Sequence, residues 1–215
     1  MRVDIVLIST FVLVPSLVFA ADYNVPEGGT LAKAIAEANA NKDGDMYEIE
    51  ISGTSADSGN VKNSAAIVGN PSAVLSGSLA FNGTGVRSEI SNLVFTSGTV
   101  GAVANGTLGL GEAQDLTITS VAFEQRTGNG YGGGVVNLGN MIIQGNSSFS
   151  ENRADVGGAI YNSKVLDISD TSFLNNMASG SGGAINSSGT MSIVNSTFDG
   201  NRSVSSYGGA INSSG

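Results

Sequence analysis

Four short phrases keep one spacing through the second half of this chain: "GGVV" at Gly133 and "GGAI" at Gly157, Gly182 and Gly208. Their starts step by 24, 25 and 26 residues. A second marker keeps the same beat, since Phe123, Phe149, Phe173 and Phe198 are separated by 26, 24 and 25 residues. A fixed period between about 20 and 50 residues marks a solenoid or a propeller, because each repeat buries its apolar face only against its neighbours. A propeller blade takes about 40 residues or more, so this period is too short for one.

Inside each repeat the apolar residues alternate. "LTITSVAF" has Leu116, Ile118 and Phe123, "VLDISDTSF" has Leu166, Ile168 and Phe173, and "MSIVNSTF" has Met191, Ile193 and Phe198. A spacing of two is strand periodicity. "MIIQGNSSF" carries one extra residue, which predicts a bulge near Gly145. "EISNLVF", ending at Phe95, and "GAVANGT" from Gly101 are worn copies, so the array begins well before Gly133.

Two or three short strands per repeat, with no helix among them, predict an all-β fold: a right-handed parallel β-helix whose coils stack at about 4.8 Å. Each repeated residue then has a structural role. Ile160, Ile185 and Ile211 form one inward column, and Phe149, Phe173 and Phe198 a second. The pairs Gly157–Gly158, Gly182–Gly183 and Gly208–Gly209 sit at a corner where a Cβ would clash. Asn152, Asn176 and Asn201, from the Phe-x-x-Asn phrase, follow the strand at a turn. There the side chain satisfies backbone groups, the backbone takes the left-handed region, and the stack builds an Asn ladder.

The beginning of the chain reads differently. Arg2, an apolar run from Ile5 to Phe19, and the small residues Val18 and Ala20 predict a cleaved signal peptide over 1–20. A cap segment follows over 21–45. In "EGGTLAKAIAEANANKDGD", Leu31, Ala34, Ile35 and Ala38 share one helical face behind Thr30 as N-cap. A short amphipathic helix there closes the open end of a stack. The β-helix repeats fill 46–215, with clear copies from about residue 115, and the last stops in mid-repeat.

Composition excludes several functions. The formal charge is −9 with only 9 Lys and Arg, which disfavours nucleic acid and anionic membrane as partners. There is no Cys and no His, which removes disulfides, Cys/His zinc sites, His bases and Cys nucleophiles. No cofactor is expected. One stretch fits part of a calcium loop: Asn39, Asn41, Asp43, Gly44 and Glu50 fall at positions 1, 3, 5, 6 and 12. Position 1 is Asn and a strand follows where a second helix belongs, so the preferred reading is a polar helix-to-strand turn. "GNGYGGGVV" lacks the Asp of a calcium β-roll and the Lys of a phosphate loop, and reads as a glycine corner. Arg153 and Arg202 read as solvated turn charges. Asp155, Asp167, Asp170 and Asp199 are the acids nearest to a hydrolase or lyase pair, but Ser192 replaces Asp167 one coil on and no basic residue recurs beside them.

Repeated "GGAI" alternating with "FSEN", "FLNN" and "FDGN" resembles the polymorphic outer membrane proteins, a group of bacterial autotransporters, over roughly residues 115–215. The segment "TLAKAIAEANANKDGD" is similar to the capping segment of many secreted right-handed β-helix proteins. The resemblance implies a secreted or surface-displayed passenger domain with an adhesin-like role and no enzymatic activity. Its implied partner is a protein or glycan on a host or neighbouring cell. It also implies outer-membrane attachment through a C-terminal β-barrel translocator, which would make this chain an N-terminal piece of a longer protein or a prematurely ended frame. A secreted polysaccharide lyase or glycoside hydrolase of β-helix type is the alternative.

Overall fold

The computed structural model describes residues 22–25, 30–41, 45–70, 73–99, 101–107 and 113–215. The signal segment 1–20 lies outside the described residues. Among the described residues the fold is all-β apart from one helix, and every strand pair is parallel between residues about one coil apart. The coils form a parallel β-solenoid with four sheets running along the stack, of 8, 7, 7 and 3 strands.

Five-residue strands such as Asp115–Thr119, Asn140–Gln144 and Val165–Ser169 build the first sheet. Leu116, Met141 and Leu166 point inward from it, as do Ile118, Ile143 and Ile168. A corner leads to the second sheet, whose central residues are the phenylalanines. Phe95, Phe123, Phe149, Phe173 and Phe198 stack ring on ring, with centroids 4.5–5.2 Å apart and planes within 7° of parallel. The third and shortest sheet carries Arg153–Ala154, Met177–Ala178 and Arg202–Ser203. A glycine corner then leads into the fourth, where Val135, Ile160, Ile185 and Ile211 share one inward column.

Three details of the register depart from the spacing argument. The phrase "GYGGGVV" offers two alignments, and the one that starts at Gly133 is a residue off. Val135 pairs with Ile160, so Gly132 takes the place of Gly157. Both have positive φ, 44° and 65°, as do Gly182 and Gly208 at 67° and 72°. The other alignment would turn Val135 outward and Val136 into the core, since a one-residue slip flips every side chain.

The extra residue near Gly145 makes no bulge within a strand. Asn140–Gln144 pairs in register with its neighbours on both sides, and the added residue sits in the corner that follows. Gly145 and Asn146 both take positive φ there, at 70° and 61°, where the next coil spends only Asp170 at 50°. A corner absorbs an insertion because Gly and Asn tolerate that region, whereas a strand is clamped by two ladders.

The left-handed residue of the Phe-x-x-Asn turn is the one before the Asn. Gln125, Glu151 and Asn175 have φ of 52°, 56° and 52°, and Gly200 has 60°. That turn aims the following Asn side chain into the solenoid.

Helix Leu31–Ala40 covers the stack at its N-terminal end. Leu31, Ala34, Ile35 and Ala38 are buried, and Thr30 accepts a hydrogen bond from the Lys33 amide. Asp57 accepts another from the Leu31 amide at 3.1 Å. At the far end Met191, Ile193, Phe198 and Ile211 are only partly buried and pack on the core from one side.

The glycine corner yields a paired prediction. A Cβ on Gly183 would run into the Gly209 carbonyl oxygen and the Arg202 amide of the next coil. A Cβ on Gly209 meets only the Asn201 carbonyl, at 3.9 Å. Gly183→Ala is therefore expected to destabilise the chain by about 3 kcal/mol. Gly209→Ala should stay within about 1 kcal/mol, and urea unfolding of the two variants side by side reads the difference.

Candidate functional site

The interior is filled by structural side chains, so any contact with other molecules falls to the outer faces. Two inward ladders of amides show how complete that filling is. In the first, Asn152 donates to the Phe123 carbonyl and to Asn176 Oδ1, both at 2.9 Å. Asn176 Oδ1 also accepts from the Asn152 amide at 3.0 Å. Asn176 repeats the pattern with the Phe149 carbonyl and with Asn201 Oδ1. Each amide thus uses its carbonyl and both hydrogens, which a buried carboxamide requires.

The second ladder was not anticipated from the sequence. Asn105, Asn137 and Asn162 lie two residues after Val103, Val135 and Ile160, and all three are fully buried. Asn105 donates to Asn137 Oδ1 at 3.2 Å, and Asn137 to Asn162 Oδ1 at 2.8 Å. Asn162 then donates to the Ser187 hydroxyl at 2.9 Å. The signal was present as "VVN" and "IYN" following the glycines, but Asn is common throughout this chain.

Both ladders start at one level of the stack, each on a long polar side chain that reaches back toward the N-terminal coils. Gln114 exchanges backbone–side chain hydrogen bonds with Asn105 at 2.9 Å and donates to the Val61 carbonyl at 2.9 Å. Arg126 occupies the Asn place in "FEQR". Its amide donates to Asn152 Oδ1 at 3.1 Å. Its guanidinium donates to the carbonyls of Ser76, Thr96 and Gly77 at 2.7, 2.8 and 3.0 Å. Gly98 leaves the space that the guanidinium fills. Arg126 is fully buried, and burial holds its pKa below the ordinary value for arginine.

Outside, the sequence-predicted residues lie scattered. Asn39 and Asn41 line a groove of about 560 Å³ with Asp45 and Asn63. Asn39 Oδ1 accepts from the Lys62 amide at 2.7 Å, and the carbonyls of Asn39 and Asn41 accept from Asn63 at 2.9 and 2.7 Å. These oxygens tie the end of the helix to the Lys62–Asn63 segment. Glu50 sits on the outer side of strand Tyr47–Ile51, while Asp43 lies outside the described residues. Among the described residues, no cluster of three or more Asp, Glu, His or Cys could hold a metal ion.

Arg153 and Arg202 are exposed and share one column with Met177 between them. Arg153 donates to the Met177 sulfur at 3.5 Å. Asp155 accepts from the Ser179 hydroxyl at 2.7 Å, and Asp199 is exposed on the phenylalanine sheet. Asp170 lines a shallow polar groove of about 240 Å³ at the first corner, with Asn146, Thr171 and Asn195.

Two grooves lie on sheet faces. The first, of about 220 Å³ on the five-residue strands, brings Arg87, Asp115 and Asp167 together with Asn140 and the exposed Ile142. Asp115 pairs across the ladder with Arg87 on one side and accepts from Asn140 at 2.9 Å on the other. Asp167 lies two strands and two residues away from Asp115. At about 4.8 Å per strand and 3.3 Å per residue, their backbones are roughly 12 Å apart. Ile142 stands beside Asp167 in the intervening strand. The second groove, of about 320 Å³ on the glycine-corner sheet, is walled by Tyr131 and floored by Ala80, Ala104 and Val136.

The coils that carry the ladders also carry a family signature. Residues 142–163, 170–188 and 195–214 match the Chlamydia polymorphic membrane protein (Chlamydia_PMP) repeat. No curated protein and no solved structure matches the chain. Each match begins at or beside a five-residue strand or its corner, passes through the Phe strand and the Asn turn, and ends in the glycine-corner sheet. Three successive segments of the stack thus match this membrane-protein repeat.

Proposed function

We propose that this chain is a surface-displayed β-helical passenger that works by binding: an adhesin-like module of a bacterial outer-membrane autotransporter. The observation that carries the reading is the coincidence of three membrane-protein repeats with coils whose interiors are wholly structural. Such coils offer rigid outer faces for contact, as solenoids do. Export by the segment 1–20 and outer-membrane attachment through a C-terminal translocator belong to the same proposal. The partner is a protein or glycan on a host or neighbouring cell, and the acidic surface disfavours nucleic acid.

Beads coated with the chain should bind cultured epithelial cells saturably, and soluble chain should compete. Beads that bind no more than albumin-coated controls would sink the proposal.

The groove with Arg87, Asp115 and Asp167 favours a second reading, a polysaccharide lyase or hydrolase. The roughly 12 Å backbone separation and the Asn140 bond to Asp115 disfavour a concerted acid pair. Incubation with pectins and other acidic glycans, with and without calcium, should release no unsaturated or reducing ends. Product that disappears in Asp115→Asn or Asp167→Asn would install the enzyme reading instead.

A further inference from the structure

We propose that the groove beneath Tyr131 is a subsite for an uncharged oligosaccharide, an inference that rests on the binding reading above and names its ligand class. The groove lies across three neighbouring strands, Leu79–Phe81, Val103–Asn105 and Val135–Asn137. Their outward residues Ala80, Ala104 and Val136 stand in one column and make a floor of small apolar groups. Ser78 and Asn129 supply polar groups to the same lining.

The wall is aromatic and fixed in place. Tyr131 is 41% exposed, so one side of its ring is open to a ligand. Tyr161, which follows Val136 in the same outward column, supports the ring, with centroids 4.6 Å apart and a tilt of 52°. The backbone around Tyr131 is tied to the next coil. The Gly128 amide donates to the Arg153 carbonyl, the Val156 amide to Gly130, and the Gly132 amide to Val156, at 2.7, 2.8 and 3.0 Å. A wall held this way costs little ordering entropy when it takes a ligand.

Two observations select the ligand. Among the described residues no charged side chain lines the groove, although the chain as a whole carries −9. An uncharged ligand matches that lining, and a sulfated or sialylated glycan would meet no cation among these described residues. The three strands are also hydrogen-bonded on both sides within the seven-stranded sheet. An extended peptide therefore finds no free edge to pair with, and recognition falls to side chains alone. A sugar ring suits such a face, since its C–H side packs on the tyrosine and its hydroxyls reach the Asn and Ser groups. Further along the column, Asn186 and Asn212 continue the same face with amides, joined at 2.8 Å. A longer glycan lying along the stack would meet these next.

The experiment is isothermal titration of the full chain with four neutral hexasaccharides (cellohexaose, maltohexaose, mannohexaose and hexa-N-acetylchitohexaose), with a heparin hexasaccharide and an apolar decapeptide alongside. At least one neutral hexasaccharide should bind, and Tyr131→Ala should weaken it at least tenfold. Ala104→Gln, which fills the floor and leaves Tyr131 intact, should do the same. Tyr207→Ala removes a tyrosine that is exposed on another coil, and should change nothing. The inference fails if no neutral hexasaccharide binds below about 10 mM, if both groove variants bind as the parent does, or if heparin or the peptide is preferred. Cell binding by the coated beads separates the two readings. If adhesion persists when glycan binding is absent, only this subsite is overturned.

Discussion

Arg126→Ala should lower the stability of the solenoid by about 4 kcal/mol. Its guanidinium spans the Ser76, Gly77 and Thr96 carbonyls at 2.7–3.0 Å and is fully buried. Truncation leaves three acceptors without that donor and opens a cavity among them. Each unsatisfied buried acceptor costs about 1–3 kcal/mol, and relief of the guanidinium's own desolvation offsets part of the sum. Arg126→Lys should recover part of the loss, because one ammonium reaches some of the carbonyls but lacks the planar fork. Equilibrium urea unfolding reads the global effect. Hydrogen exchange of the coils over 73–99 reads the local one, which matters because a solenoid need not unfold in two states. A loss under 1 kcal/mol with unchanged exchange would mean that these carbonyls find water readily and that Arg126 pins nothing.

Phe173→Ala is expected to cost about 3–5 kcal/mol. The ring is 1% exposed and stacked on both sides, against Phe149 at 4.9 Å and Phe198 at 4.6 Å. Its loss leaves a hole in the column that the paired strands above and below cannot close. Phe198 supplies the control within the same column. It is only partly buried and has a ring partner on one side. Phe198→Ala should therefore cost less than half as much. Equal losses at the two positions would show that the column transmits no packing from coil to coil.

Period and alternation made the architecture legible. The Phe spacing placed Phe149, Phe173 and Phe198 in one register, and alternation set Leu166 and Ile168 inward. Both signals arise because every coil solves the same packing problem with the same side chains. Helix Leu31–Ala40 was legible for a different reason, its apolar stripe and its Thr30 cap.

The remaining features depend on which coil lies above which. Three glycines in a row allow two alignments, and the pairing of Val135 with Ile160 shows the one read from the spacing, starting at Gly133, to be a residue off. The residue beside Gly145 could sit in a strand or in a corner, and the ladders on either side forced it into the corner. Nothing local marks Arg126 or Gln114 as ladder heads. Their partners lie as far as 50 and 53 residues back along the chain. The groove under Tyr131 has the same origin, because its floor comes from three coils and its wall from a loop of one of them. A repeat announces its columns through its own spacing, whereas the breaks in those columns are set by contacts between coils.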